Sequence, residues 1–413
     1  MANNICTRFY DDNGVDIGCD LISKEFMIEN YPSLVSWAKA PALWVWGNSS
    51  NFVLGDGFAT DRSSPVQTIS TSSNWKSVSA GGCHSAAIKT DGTLWLWGNT
   101  FSTGAIGNNV SGIIQYSSPV QTISGGTNWK QISMGDVHST AIKTDGTLWL
   151  WGQGFNGELA NNASGNTIRI SSPIQTISAG TNWKQVSASN NITAAIKTDG
   201  TLWLWGSNAI VTPLGDNARI SRSSPIQTIS AGTNWKTVSM GHFHATAIKQ
   251  DGTLWTWGSN CGALGNNSLL DVSSPIQTIS AGTNWKQVSA GRFNTAAIKT
   301  DGSLWLWGNN VCGQLGDNTN VSKSSPVQTV SGGTNWQSVN SGNCIAGGIK
   351  TDGSLWLWGN SSSGQLGNNT NTPDKSSPVQ TIMGGNDWRQ VSFSAIDALP
   401  SGHVMAINDG GDY

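Results

Sequence analysis

Four of the five histidines in this 413-residue chain, His84, His138, His244 and His403, share one position of an internal repeat. Imidazoles placed that way could ligate a metal across a channel or move protons. The other copies hold Ile192, Asn294 and Ile345 at the same position, and a place that accepts Ile does no proton chemistry, so hydrogen-bonded structural histidines are expected. The carboxylates point the same way. There are three Glu, Glu25, Glu29 and Glu158, and the best-placed Asp residues recur in Asp-Gly turns, which leaves no pair for general acid–base or glycosidic work. Asp11, Asp12, Asp16 and Asp20 lack the terminal bidentate Glu of a standard calcium loop and read as a solvated turn. Among the six cysteines there is no CxxC pair; Cys83 matches Cys344 and Cys261 matches Cys312, each pair whole repeats apart, so free thiols are expected. No Walker loop, dinucleotide fingerprint or GxSxG elbow is present. The sequence predicts no catalytic residue, no metal and no cofactor.

Residue types suited to binding are placed differently. Six of nine Phe (Phe52, Phe58, Phe101, Phe155, Phe243, Phe293) and five of seven Arg (Arg62, Arg169, Arg219, Arg222, Arg292) fall in segments that vary between copies, whereas 21 of 22 Trp occupy repeated positions. Aromatics and Arg dominate protein-binding hot spots. Phe52, Phe101, Phe155, Arg169, Arg219, His242, Phe243, Arg292 and Phe293 are therefore the candidate binding residues, unless the rings fold inward as plugs. Charged residues make up only 11% of the chain and the net charge is -2, which gives no reason to expect nucleic acid as a partner. No run approaches the roughly 18 apolar residues of a membrane span, and the start has no apolar signal core.

The elements that must hold these loops follow from a Trp-x-Trp pair that recurs seven times, from Trp44/Trp46 to Trp356/Trp358, at intervals of 50 to 54 residues. LeuTrpLeuTrpGly is apolar on both alternating faces, as a strand covered by neighbouring sheets must be. ThrAspGly before it signals a tight hairpin with the preceding HisSerAlaAlaIle-type strand. Adding TrpLysGlnValSer and SerSerProValGln gives four short strands per unit, and seven such units predict an all-β, seven-bladed β-propeller. The first unit starts mid-blade at Leu43, and the last supplies the missing strands at Trp388 to Ser392 and His403 to Ile407. N- and C-terminal strands should thus complete one composite blade and leave no raw edge. From the second Trp of each pair to the next SerSerPro the separation is 17, 20, 20, 18, 16, 17 and 18 residues, so all length variation sits in one loop per blade. In a meander that loop lies at the same end as the loop after the first strand. Function is expected on that face.

The sequence of a Gly-centred loop, His, a small-apolar strand, AspGly, LeuTrpxTrpGly and GlyGlnLeuGly (Gly313 to Gly316, Gly364 to Gly367) resembles the regulator of chromosome condensation repeat, from residue 43 to about 410. The resemblance implies a seven-bladed propeller that binds proteins by one face. Family members include a nucleotide-exchange factor, an ultraviolet-B photoreceptor and a β-lactamase inhibitor. The exchange factor's protruding insertion is not found here. Where the photoreceptor has Trp and Arg before the repeat His, this chain has Gly82/Cys83, Asp136/Val137, His242/Phe243 and Arg292/Phe293.

Residues 1–42 stand outside the repeat and carry apolar residues with no repeat partner, among them Phe26 and Trp37, the candidate anchors of a docking extension to the 43–413 propeller. This leader resembles those of repeat proteins encoded by marine bacteriophages. The expectation is a non-enzymatic virion component (tail, baseplate, fibre or capsid decoration) that contacts other virion proteins or a host-surface protein or glycan. The alternative is a soluble cellular regulator, of exchange-factor or inhibitor type, that binds a partner protein through one propeller face.

Overall fold

The computed structural model describes residues 41–69, 74–100, 103–110, 112–178, 180–208, 213–229, 232–280, 282–394 and 402–410. Phe26, Trp37 and Phe101 lie outside them. The described residues form 28 strands in seven four-stranded antiparallel sheets, the seven blades of a propeller. Blade 1 is typical: Trp75–Ala80 is innermost, then His84–Lys89, Leu94–Asn99 and, outermost, Gln115–Gln121. Blades 2 to 6 repeat this order over 129–175, 183–227, 235–277, 285–328 and 336–380. Blade 7 joins the two ends of the chain. Trp388–Phe393 and His403–Asn408 form its inner half, and Ala42–Gly47 and Arg62–Gln67 its outer half. Ala42 pairs with Asn408 and Gly47 with His403, six residues in unbroken register.

Each LeuTrpLeuTrpGly strand lies third from the channel, and its side chains divide as the spacing requires. In blade 1 Leu94, Leu96 and Trp97 are fully buried against neighbouring sheets, whereas Trp95 is half-buried. The half-buried Trp has its own role: Lys89 Nζ lies 4.2 Å from the Trp95 ring and 5.1 Å from that of Trp75, and the Trp95 indole donates to Thr93 Oγ1 at 2.9 Å. Thr93 in turn donates to Asp91 Oδ1, which also accepts the Thr93 N–H. The Asp of the hairpin turn is structural, and these hydrogen bonds hold its carboxyl below the usual carboxylate range. Gly92, at φ +81, presses the turn against the Thr127 carbonyl of the next blade, where a Cβ would collide.

Blades join through their inner strands. Ser79 Oγ accepts Met134 N at 3.1 Å, Ser133 Oγ accepts Ala188 N at 2.9 Å, and Ser392 Oγ accepts Ala80 N at 3.0 Å across the closing junction. Gln185 bridges to blade 4 with both amide atoms, on the N–H and C=O of Val238. Among the described residues no helix is long and apolar enough to cross a membrane.

Candidate functional site

Two sets of loops gather at one end of the ring: the short loop after each innermost strand and the long loop after each third strand. They touch within a blade, for Asn99 N donates to Cys83 O at 2.8 Å. The long loop also reaches the next blade. The second Trp of each pair donates its indole N–H to a carbonyl in the preceding blade's long loop, as in Trp97 to Val53, Trp151 to Ala105 and Trp46 to Gln365, each at 2.7 Å. Part of the variable loop is thus an interlock built on a Gly-x-Leu-Gly turn.

The repeat histidines belong to the same interlock. His84 Nε2 bonds Ser139 Oγ at 3.1 Å, His403 Nε2 bonds Ser85 Oγ at 2.8 Å, His138 Nε2 bonds Thr193 Oγ1 at 2.9 Å and His244 Nε2 bonds Thr295 Oγ1 at 2.8 Å, each in the next blade. The Ser139 hydroxyl donates onward to Ala105 O, the carbonyl that Trp151 also uses. A hydroxyl spending its proton there accepts from imidazole, which assigns the Nε2–H tautomer. Burial pushes His84 and His403 down to about 3, and His138 and His244 to about 4, so all four are neutral. In blade 5 Asn294 makes a different link to the next blade, donating to Ser341 Oγ on the innermost strand of blade 6 at 2.7 Å. Among the described residues no group of three or more His, Cys, Asp or Glu could hold a metal ion.

Four of the predicted binding residues come together. Phe243 and Phe293, from the short loops of blades 4 and 5, stack with ring centroids 4.9 Å apart at 23°. The Arg292 guanidinium carbon lies 4.9 Å from the Phe293 ring centre and 5.7 Å from that of Phe243. His242 meets Phe243 edge-on at 4.5 Å. Behind the aromatics, the fully buried His242 places Nε2 3.0 Å from Asp136 Oδ2, a carboxylate from blade 2, while Asn190 Nδ2 of blade 3 lies 3.2 Å from Nδ1. With Asn190 donating to Nδ1, the imidazole proton sits on Nε2 and faces Asp136. Short loops of four consecutive blades therefore contribute to one cluster with an aromatic and cationic outer layer.

The remaining candidates stand apart from it. Phe155 and Arg169 pair within the long loop of blade 2, with Arg169 4.7 Å from the ring centre. Arg219 is exposed in the long loop of blade 3. Phe52, half-buried, sits at φ +56 where blades 1, 2, 4, 5 and 6 have Gly104, Gly157, Gly262, Gly313 and Gly364, so it belongs to the interlock turn. Arg62 and Arg222 are paired with Asp56 and Asp216 of their own loops at 2.7 and 2.9 Å. Sequence spacing gave no signal for Asp136 and Asn190, which reach His242 from blades 2 and 3.

Residues 75–102, 129–158, 235–262 and 285–314 match one model of the regulator of chromosome condensation (RCC1) repeat, and 145–196, 251–298, 301–345 and 352–395 match a second. Together they cover more than half of the chain. The ultraviolet-B receptor UVR8 of Arabidopsis thaliana is 30% identical over 218 residues, 52% of this chain and 48% of that protein. The chain spans about half the length of such curated relatives. Among solved structures, Prp20p of Saccharomyces cerevisiae, described with its binding to Gsp1p and histones, superposes with a TM-score of 0.77 at 18% identity, covering 90% of this chain and 93% of that one. Human WBSCR16 gives 0.77 at 18% identity, covering 89% and 99%. These two similarities concern the fold.

Proposed function

Since the chain belongs to the regulator of chromosome condensation (RCC1) repeat family, we propose that it is a regulator-type scaffold that binds a partner protein through the Phe243–Arg292–Phe293 cluster of its loop face. The observation that carries this reading is the cluster's preorganisation. Two rings are held by stacking, worth roughly 0.5–1.5 kcal/mol, and the guanidinium by contacts worth about 0.5–1 kcal/mol, so little ordering is left to the binding step. Nothing inside the fold needs this arrangement, because blades 1 and 3 close with Gly82/Cys83 and Asn190/Asn191 at the same places. Prp20p, the structural neighbour, binds proteins, and this supports protein contact ahead of a virion role or a host-surface glycan. Residues 1–42, with Phe26 and Trp37, form the proposed second contact, a docking extension.

The test uses the full chain as bait in an extract of its source. Arg292→Ala combined with Phe293→Ser should weaken capture of the native partner at least about 30-fold, or roughly 2 kcal/mol, with little change in melting temperature. Lys130→Ala, on the inner strand of blade 2, is the control and should capture normally. Equal capture by both variants would move the site elsewhere, and a collapsed melting curve for the double variant would make the rings structural plugs.

A further inference from the structure

The innermost strand of every blade begins with a buried Trp and then a residue that is exposed in all seven copies. The second position holds Lys76, Lys130, Lys184, Lys236, Lys286, Gln337 and Arg389. These strands surround the channel and start at the end that carries the Asp-Gly hairpins, as the pairing of Trp75 with Lys89 shows, so six cations encircle the channel mouth there. The circle is tight. One Gln side chain spans the gap between inner strands, for Gln185 Nε2 reaches Val238 O at 3.0 Å and Gln390 Nε2 reaches Val78 O at 2.9 Å, and a Lys side chain is longer. Arg389 lies across such a junction: its Nη2 donates to Trp75 O at 2.6 Å and is 3.4 Å from Lys76 O.

Five of the six charges are left unpaired by the fold. Arg389 has Asp409 at 2.8 Å, but among the described residues Lys76, Lys130, Lys184, Lys236 and Lys286 form no ion pair. The second set of lysines at this end, from Lys89 to Lys350, is committed between Trp rings, and each neighbouring turn Asp is held by its own Thr or Ser, as Asp91 by Thr93 and Asp352 by Ser354. Among the described residues of the hairpin end, twelve cations stand against eight carboxylates, in a chain whose net charge is -2. The positive excess is therefore local.

We propose that this ring binds one compact polyphosphorylated anion, of the class of a cyclic polyol carrying several phosphate esters, seated over the channel mouth opposite the loop face. Each phosphate monoester carries about 1.5–2 negative charges at neutral pH and three acceptor oxygens. An ammonium is a point charge with three rotatable donors, so it meets phosphate oxygens without the planar register of a guanidinium–carboxylate pair. Like charges around one opening repel, and a multivalent anion removes that repulsion. The closed circle also selects for shape. A small anion charged all round its rim meets every cation at once, whereas an extended polyanion lies along only part of the circle, and a small carboxylic acid carries too few charges to match six cations.

The test titrates inositol hexakisphosphate into the full chain by calorimetry. One molecule should bind per chain with a Kd of about 10 μM or tighter, weakening as salt is added, and inorganic phosphate should bind at least about 100-fold more weakly. Lys130→Gln, Lys184→Gln and Lys236→Gln together should weaken binding at least about 30-fold with the melting temperature unchanged, since Gln337 already serves blade 6 at that position. Gln337→Lys completes the circle and should tighten binding about 3-fold. The control removes three cations from the loop end, Arg219→Gln, Lys323→Gln and Lys375→Gln, and should bind within about 3-fold of wild type. No saturable binding, more than one molecule bound per chain, equal weakening by the two triple variants, or tighter binding of double-stranded DNA than of the hexakisphosphate overturns the proposal.

Discussion

The two ends of each blade obey different rules. At the hairpin end six blades repeat one device: a Lys between two Trp rings, an indole donating to a Thr or Ser hydroxyl, and that hydroxyl donating to the turn Asp. Lys143, Lys197, Lys249, Lys299 and Lys350 lie 4.0–4.6 Å from the outer Trp of their pairs, much as Lys89 does. At the loop end, the equivalent short-loop position holds Gly82, Asp136, Asn190, His242, Arg292 and Asn343 in turn. The difference is physical. Each hairpin must fit the next blade in the same way, because its Gly presses on a neighbouring carbonyl, whereas the short loops join through backbone bonds such as Asp136 N to Asn190 O and His242 N to Gly291 O, which do not use the side chain. Side chains at the loop end are free to specialise because the backbone holds the loops together.

The harshest way to break this comparison is to remove the framework's closure. Deleting residues 388–413 takes away two strands of blade 7 and with them the buried Trp388, Val391, Phe393, Val404, Met405, Ala406 and Ile407. At about 1.5–3 kcal/mol for each large apolar side chain, that loss rivals the roughly 5–15 kcal/mol stability of a whole domain. No cooperative thermal transition is expected from the truncated chain. A transition like that of the full chain would show that the other blades hold without the ring.

Glu158 sharpens the comparison, since it lies in a variable loop yet serves the framework. It occupies the place of Gln314 and Gln365, whose amide nitrogens donate to Asn309 and Asn360. A carboxylate cannot donate. Burial raises Glu158 to about 7, and Asn156 N reaches its Oε2 at 2.6 Å while Oε1 lacks a hydrogen-bond partner. A folded pKa above the unfolded value means that the contribution of this group is fully present below about 4.5, falls away between there and about 7, and is gone above. Glu158→Gln should therefore stabilise the fold by roughly 3 kcal/mol at pH 8 and by almost nothing at pH 4, read from urea midpoints. A gain independent of pH would show that the carboxyl is not protonated in the fold.

Much of this framework was legible in the sequence. Strand identity came from apolar runs and AspGly, blade number from counting Trp pairs, and closure from two half-units whose strands pair from Ala42 to Gly47. The histidines were legible as structural because Ile replaces two of them. What spacing could not show was contact between loops of different blades. Asp136 of blade 2 and Asn190 of blade 3 both meet His242 of blade 4. Those meetings depend on the ring's radius and on how far each loop leans. The long loop also read as variable throughout, because its changes in length masked a four-residue turn that hardly changes.

That turn carries the smallest and most discriminating effect. Six blades place Gly at its last position, Gly55, Gly107, Gly215, Gly265, Gly316 and Gly367, all with φ between +60 and +72. A Cβ at any of them would lie 2.7–2.9 Å from the indole nitrogen of the next blade's Trp. In blade 2 the position is Ala160, at φ +50 and fully buried, and Trp205 still reaches the Glu158 carbonyl at 2.8 Å. Gly107→Ala should cost about 1–3 kcal/mol, because left-handed strain of roughly 1–2 kcal/mol adds to a clash with an indole held at 2.7 Å by Ala105 O. Ala160→Gly relieves the same strain but gives up about 0.8 kcal/mol of buried methyl and gains about 0.5–1 kcal/mol of unfolded-chain entropy. Its net effect should stay within about 1 kcal/mol of zero. The two denaturation midpoints decide the matter together: if Gly107→Ala is as harmless as Ala160→Gly, the turn is not framework, and the division between a fixed hairpin end and a free loop end holds along the whole long loop.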